Sequence, residues 1–259
     1  MRTYTVEGFV LGMRALGEAD RILTIFSRER GKQSVVAKGV RKTHSKFGGR
    51  LDFFNRSRIT LHVGRSLDVI TGAASVKEVW ARLVEPQAYL LVSYAAELVD
   101  ALCEPDMPVP HLYGMLCELQ TIVGAGAGQS ALMPAVDLRL LETLGLAPEL
   151  DACATCGARL GNRPLSRGLA AVSPNAGGLV CQVCMGSRSV GDERPASDGA
   201  FMVKSSMLAR LRALRALSFA EAVRDGAGTL NDLRPLTHAF IQYHLGRRSK
   251  AVSSAMGTQ

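Results

Sequence analysis

Arg58-Ile59-Thr60-Leu61-His62-Val63 decides how the first third of the chain is read. Polar and apolar residues alternate strictly through it, so Ile59, Leu61 and Val63 share one face of an extended strand, and that face is expected to be buried. Gly64-Arg65 turns the chain, and Leu67 to Thr71 returns it as a partner strand. Upstream, Tyr4 to Met13 is rich in β-formers, and Arg21 to Ser27 carries the apolar run Ile22-Leu23-Thr24-Ile25-Phe26. Arg30-Gly31-Lys32 suits a hairpin turn, because glycine enters positive φ without a Cβ clash, and Gln33 to Lys38 follows as a third strand. Five short strands on tight turns within residues 1–80 predict a closed or nearly closed barrel of OB type, which leaves few strand edges exposed.

Beyond Val76 the apolar period lengthens to that of helices. Leu90, Leu91, Tyr94, Ala95 and Leu98 form a stripe along Gln87 to Cys103, with Pro86 suited to the first helical turn. His111 to Val123 reads as a second helix, ended by Gly124-Ala125-Gly126-Ala127-Gly128, and Met133 to Gly145 as a third, with Gly145 as a left-handed cap. Residues 153–187 are loop-rich and hold four cysteines. After a polar linker over 191–199, helices resume at Lys204 to Leu217 and Asn231 to Leu245. The organisation expected is therefore multidomain α+β: a barrel (1–80), a helical domain in two parts (81–152 and 188–248), a cysteine-rich insertion (153–187) and a disordered tail (249–259).

The chain of 259 residues carries a formal charge of +8, and all of the excess lies in residues 1–80, with fifteen Lys and Arg against seven Asp and Glu. Between Arg28 and Arg58 ten basic residues face only Glu29 and Asp52. Such a segment suits a polyanion, because basic side chains displace the counterions condensed on phosphates. Lys38, Arg41, Lys42, Lys46 and Arg50 are the first candidates for phosphate contacts; Arg56, Arg58 and Arg65 come second, since strand residues point to either face. Phe47, Phe53 and Phe54 interleave with this charge, as stacking on single-stranded bases requires, although a barrel core needs aromatic residues too.

Cys103 and Cys117 lie on apolar helix faces and read as ordinary buried thiols. The other four form Cys153-Ala-Thr-Cys156 and Cys181-Gln-Val-Cys184, 24 residues apart. Each C-x-x-C turn delivers two sulfurs from one tight loop, and two such turns complete a zinc tetrahedron. Four thiolates leave no open coordination position, so the zinc expected here is structural and crosslinks a segment with little apolar mass.

No G-x-x-x-x-G-K-[ST], H-E-x-x-H or H-x-E with P-C-x-x-C string occurs, and the histidines are scattered, so the sequence points to a protein that is not an enzyme. Glu18 and Asp20 read as a solvated turn. No apolar run suits a membrane span and no secretory leader is visible, so a cytoplasmic, nucleoid-associated location is expected and the sequon Asn55-Arg56-Ser57 carries no meaning.

In this order of parts the sequence resembles the bacterial recombination mediator family RecO. Ala37-Lys38-Gly39-Val40-Arg41-Lys42 with Ser45 and Lys46 resembles that family's basic loop after its third strand. Leu138 to Leu150 leading into Cys153-Ala154-Thr155-Cys156-Gly157 is similar to its helix-to-zinc junction, and Tyr243 to Lys250 to its last helix end. The resemblance implies an OB fold, a helical domain and an inserted zinc ribbon. It also implies binding of single- and double-stranded DNA, strand annealing, and partnership with RecR and single-strand binding protein (SSB) in loading RecA. An SSB tail brings acidic residues and a terminal phenylalanine, for which Arg139, Arg210, Arg212 and Arg215 could rim a pocket; a solvated helix face is the plainer reading of the same residues. The alternative from another class is a zinc-ribbon protein acting on RNA or in transcription, although Cys153 to Cys184 holds only Arg159, Arg163 and Arg167 as basic residues. A nuclease with a carboxylate–metal site, and an adaptor binding acidic protein, are two further readings.

Overall fold

The computed structural model describes residues 2–159, 168–185, 199–224 and 230–246. The tail 249–259, most of the 191–199 linker, and Arg163, Arg167, Arg247, Arg248 and Lys250 lie outside these residues. Met1–Ser130 and Ala131–Arg248 form two compact units.

In the first unit, β1 (Thr3–Leu16), β2 (Asp20–Ser27), β3 (Gly31–Ala37), β4 (Arg56–His62) and β5 (Asp68–Lys77) close into a barrel ordered β1-β2-β3-β5-β4. Antiparallel ladders run from Thr3↔His62 to Phe9↔Arg56 and from Arg21↔Ala37 to Ser27↔Gly31. Closure depends on a short parallel contact, Val35↔Asp68 and Val36↔Val69. Alternation drives the fold: Val6, Val10, Leu23, Ile25, Val35, Ile59, Leu61 and Ile70 all point into one core. The expected inward face of β4 holds for Ile59 and Leu61, while Val63 lies beyond the strand end and is exposed.

Two helices complete this unit, α1 (Pro86–Leu102) and α2 (Pro110–Gly124), each with proline in its first turn, where the missing N–H costs nothing. Tyr113 of α2 packs on Phe9 with ring centroids 5.5 Å apart, and Gln120 donates to the carbonyls of Phe54 and Lys77. The helical stretch expected over 81–152 is therefore divided. Its first two helices share packing and hydrogen bonds with the barrel, and its third belongs to the second unit. Gly31, at φ +66°, does more than turn the hairpin: a Cβ there would meet the Met107 carbonyl oxygen at 1.9 Å, so the α1–α2 loop lies directly on the barrel.

The second unit packs α3 (Met133–Thr143) against α5 (Ser205–Ala216) and α7 (Arg234–Leu245). The chain leaves α3 through Gly145 at φ +72°. A three-stranded sheet, β7-β6-β8, is built from β6 (Leu169–Ser173), β7 (Gly178–Val180) and β8 (Phe201–Lys204), with short helices α4 (Gln182–Met185) and α6 (Phe219–Arg224).

Candidate metal centre and nucleic-acid interface

The sheet of the second unit brings the two C-x-x-C turns together. Glu149 pairs with Gly178 and Ala154 N–H donates to the Leu179 carbonyl, so the first turn is stitched alongside β7. β7 then delivers Cys181, and α4 curls back to present Cys184. Gly157, at φ +73°, lets the first turn close with its N–H on the Cys153 carbonyl. All four Sγ atoms lie within 4.8 Å of one another, and Cys156 and Cys181 are 3.8 Å apart. That separation fits a tetrahedral edge, since metal–sulfur bonds of about 2.3 Å put sulfurs about 3.8 Å apart, and all four cysteines are free of disulfides.

Backbone donors prepare this site for a cation. Burial pushes the Cys153 thiol up, but backbone N–H groups of Cys181, Cys156 and Thr155 outweigh it and bring it down to about 6. Hydrogen bonding with Cys181, reinforced by Cys156 and Cys153, holds the Cys184 thiol up, to about 12. One sulfur is thus favoured as thiolate by its backbone donors, and another is held protonated by the sulfurs that accept from it.

The cationic loop joins β3 to β4 on the first unit. Asp20 accepts the Gly39 N–H at 2.8 Å, Arg41 N–H reaches the Ala19 carbonyl, and the Arg41 guanidinium reaches that of Gly17 at 2.9 Å. Asp20 therefore serves as a loop anchor. Lys46 donates to Thr71 O at 3.1 Å, and Arg50 to the carbonyls of Lys46 and Phe47 at 3.2 Å. These partners are neutral, so they fix the side chains without cancelling their charge. Lys38, Arg41, Lys42, Lys46, Arg50, Arg58 and Arg65 are exposed, and none has a carboxylate partner among the described residues.

Arg56 is placed differently. Its guanidinium is partly covered, 3.9 Å from Glu7 and 2.9 Å from Cys117 Sγ, where Tyr113 also donates to Glu7. It serves the seam between barrel and α2 and is withdrawn from the outer face. Phe47 and Phe54, expected as stacking candidates, are buried at 1% and 0% exposure. Phe47 plugs the barrel core and Phe54 packs on Phe9, so neither has a ring face for a base. Only Phe53 stays partly open.

The arginines expected to rim a pocket are occupied within the second unit. Arg139 donates to the Leu217 carbonyl at 2.6 Å and covers the Phe219 ring, Arg215 pairs with Glu142 at 2.8 Å, and Arg212 holds Asp151 at 3.0 Å and the Leu150 carbonyl. Arg210 pairs with Asp232 at 3.4 Å at the side of an apolar groove that also includes Phe201, Met202, Val203, Lys204 and Leu236.

Sequence reasoning missed Asn55. It is fully buried, donates to the Gly49 carbonyl at 2.8 Å and accepts the Val79 N–H at 3.1 Å, thereby tying the loop to the segment that leads into α1. Its burial removes the sequon from glycosylation, and its role leaves no pattern that a sequence could show.

A closed OB-like barrel carrying an unneutralised cationic loop, with a four-cysteine cluster that fits a metal ion further along the chain, places this molecule among OB-fold nucleic-acid-binding proteins. Residues 1–79 match the family described as Recombination protein O N terminal, and residues 84–252 match Recombination protein O C terminal. The chain is 37% identical over 248 residues to the DNA repair protein RecO of Rubrobacter xylanophilus, covering 94% of this chain and 93% of that protein. It is 34% identical over 255 residues to the DNA repair protein RecO of Bifidobacterium adolescentis (95% and 96%), and 33% over 256 residues to that of Cutibacterium acnes (95% and 96%). The chain belongs to the RecO family of DNA repair and recombination proteins. Among its described residues no helix is long and apolar enough to cross a membrane.

Proposed function

We propose that this chain is a recombination mediator that binds single- and double-stranded DNA, anneals complementary strands and, together with RecR, helps load RecA onto SSB-coated single strands. The observation that carries the DNA-binding part is the state of the loop: Lys38, Arg41, Lys42, Lys46 and Arg50 are exposed, and three of them are positioned by neutral carbonyls. Annealing requires two polyanions to approach each other. A cationic surface held in this way lowers their repulsion by displacing condensed counterions, with no turnover of any substrate. Five or six phosphate contacts give log K against log salt a slope of roughly −4 on single strands, at about −0.7 per contact.

Zinc is the metal that fits four cysteine sulfurs in a tetrahedron, held by Cys153, Cys156, Cys181 and Cys184. Once bound it supplies a rigid crosslink and leaves no position for a substrate. The groove beside Arg210 supports the SSB part of the reading, since Phe201, Met202 and Leu236 offer an apolar floor and Lys204 a cationic neighbour for an acidic tail ending in phenylalanine.

The test is annealing of complementary oligonucleotides coated with their cognate SSB, without ATP, by wild type and by the variant Lys38→Glu/Arg41→Glu/Lys42→Glu. Stimulation by the wild type and its loss in a variant of unchanged circular dichroism is expected. A folded, zinc-loaded wild type that fails to stimulate annealing would sink the mediator reading.

A further inference from the structure

The phenylalanines of the first unit, with Trp80 and Tyr89, divide into two sets. Phe9, Phe26, Phe47 and Phe54 are buried to within about 1% and fill the interior. Phe53, Tyr89 and Trp80 are not. The Phe53 ring is partly covered and meets Tyr89 at 5.9 Å with a 55° tilt, while Tyr89 itself is 53% exposed at the start of α1. Trp80, the only tryptophan of the chain, is 58% exposed on the short turn Trp80–Arg82. Large aromatic side chains left in water mark a contact surface, because each gains from burial against a partner.

Two hydrogen bonds tie the segment that precedes Trp80 to the cationic loop. Val79 N–H donates to Asn55 Oδ1, so the Trp80 turn begins one residue after that contact, and Asn55 Nδ2 donates to the carbonyl of Gly49, the neighbour of Arg50. Phe53 is part of the same loop, two residues before Asn55. Arg50 and Arg82 are exposed in these segments, as are the carboxylates Asp52, Glu78 and Glu85. Net charge at the aromatic residues is therefore close to even, and the positive excess lies along 38–50. Phosphates belong on that excess and base faces on the uncharged rings, which is the division of labour of single-strand binding.

We propose that Phe53, Trp80 and Tyr89 form a stacking platform for the bases of single-stranded nucleic acid whose phosphates run along the 38–50 loop. The inference rests on the DNA-binding reading above and adds a selectivity to it. A duplex presents phosphates but keeps its base faces stacked, so the loop serves both forms of DNA and the platform serves unpaired strands alone. Stacking is indifferent to sequence, since every base has a π face, and a protein that meets arbitrary complementary strands needs that indifference.

The lone tryptophan makes the test direct. Trp80 fluorescence and the anisotropy of a labelled oligonucleotide are followed together in the full-length, metal-loaded protein, with oligo-dT, an abasic oligonucleotide of equal length, and vesicles of anionic phospholipid. Oligo-dT is expected to quench Trp80 as it binds, whereas the abasic strand binds without quenching. Tyr89→Ala should weaken oligo-dT binding about five- to 150-fold, the range that stacking on one base supplies, and leave the salt slope and abasic affinity unchanged. Oligo-dT that raises anisotropy but leaves Trp80 unaffected would overturn the platform while the DNA-binding reading stands. Absence of any anisotropy change would remove both. A Trp80 response to vesicles with none to oligo-dT would assign the surface to lipid and overturn the proposal.

Discussion

The barrel and the four-cysteine segment are both small β structures, yet they are held by different means. Barrel strands donate Val, Leu and Ile side chains to one interior, and each fully buried chain of this size contributes about 1.5–3 kcal/mol. Among the described residues, the buried cluster around the cysteines is Ala171, Val180 and the sulfur-bearing residues Cys153, Cys181 and Cys184, with Ala176 and Met185 packed alongside. That cluster is less than half the size of the barrel core, although Val172 and Leu179 on the adjoining strands are buried as well. The metal ion proposed for the four sulfurs would do there what eleven buried residues do in the barrel. Loss of one component is therefore total in the second case and graded in the first.

The largest effect should come from the metal. Chelation removes a binding free energy on the order of 10–16 kcal/mol, and hydrogen exchange is expected to show β7 and the Cys153–Cys156 turn losing protection while β1–β5 keep theirs. Equal loss in both regions would break the contrast. In the barrel, Leu61→Ala is expected to cost about 2–5 kcal/mol, read as a lower urea midpoint at unchanged zinc stoichiometry. Asn55→Ala strands the Val79 N–H and the Gly49 carbonyl and should cost about 1–3 kcal/mol, together with a weakened Trp80 response to oligo-dT.

A smaller, pH-dependent effect belongs to α7. Burial, aided by the nearby Arg234 charge, lowers the pKa of His238 below its ordinary value of 6.5. The folded ring binds a proton less readily than the unfolded one. Its contribution is thus complete above about pH 6.5 and is lost as pH falls toward the folded pKa. His238→Gln should flatten the melting temperature against pH across that window, leaving the contribution of His244, whose pKa burial also lowers. The smallest stability effect is expected from Lys42→Ala, within about 0.5 kcal/mol, although the single-strand salt slope should drop by about 0.7.

Much of this was legible in the sequence, and for identifiable reasons. A period of two along Arg58 to His62 fixes one buried face, and β4 follows it. Pro86 and the Leu90, Leu91, Tyr94, Ala95, Leu98 stripe delimit α1 within a residue or two, with Leu90 at its half-buried margin. The cysteine spacing foretold a cluster because four sulfurs at two close spacings have few other uses. Short elements were missed: β7 has three residues and α4 four, too few for any period to appear. Phe47 and Phe54 looked like stacking residues because they stand among charges, and nothing in a loop sequence tells which side chains fold inward. Arg212 and Arg215 looked free because their partners, Asp151 and Glu142, come from distant segments of the second unit.

The parallel meeting of β3 and β5 bears on how the barrel comes apart. Seven or eight residue pairs join each antiparallel neighbour, whereas only two join these strands. The barrel is in effect a broad strip of sheet clasped along one short hem. Opening the hem parts few hydrogen bonds and spares every hairpin, so a slit between Val36 and Val69 is the cheapest excursion from the closed ring. Assembly should run the same path in reverse, with local hairpins zipping first and the clasp, which has only two residue pairs to hold it, closing last.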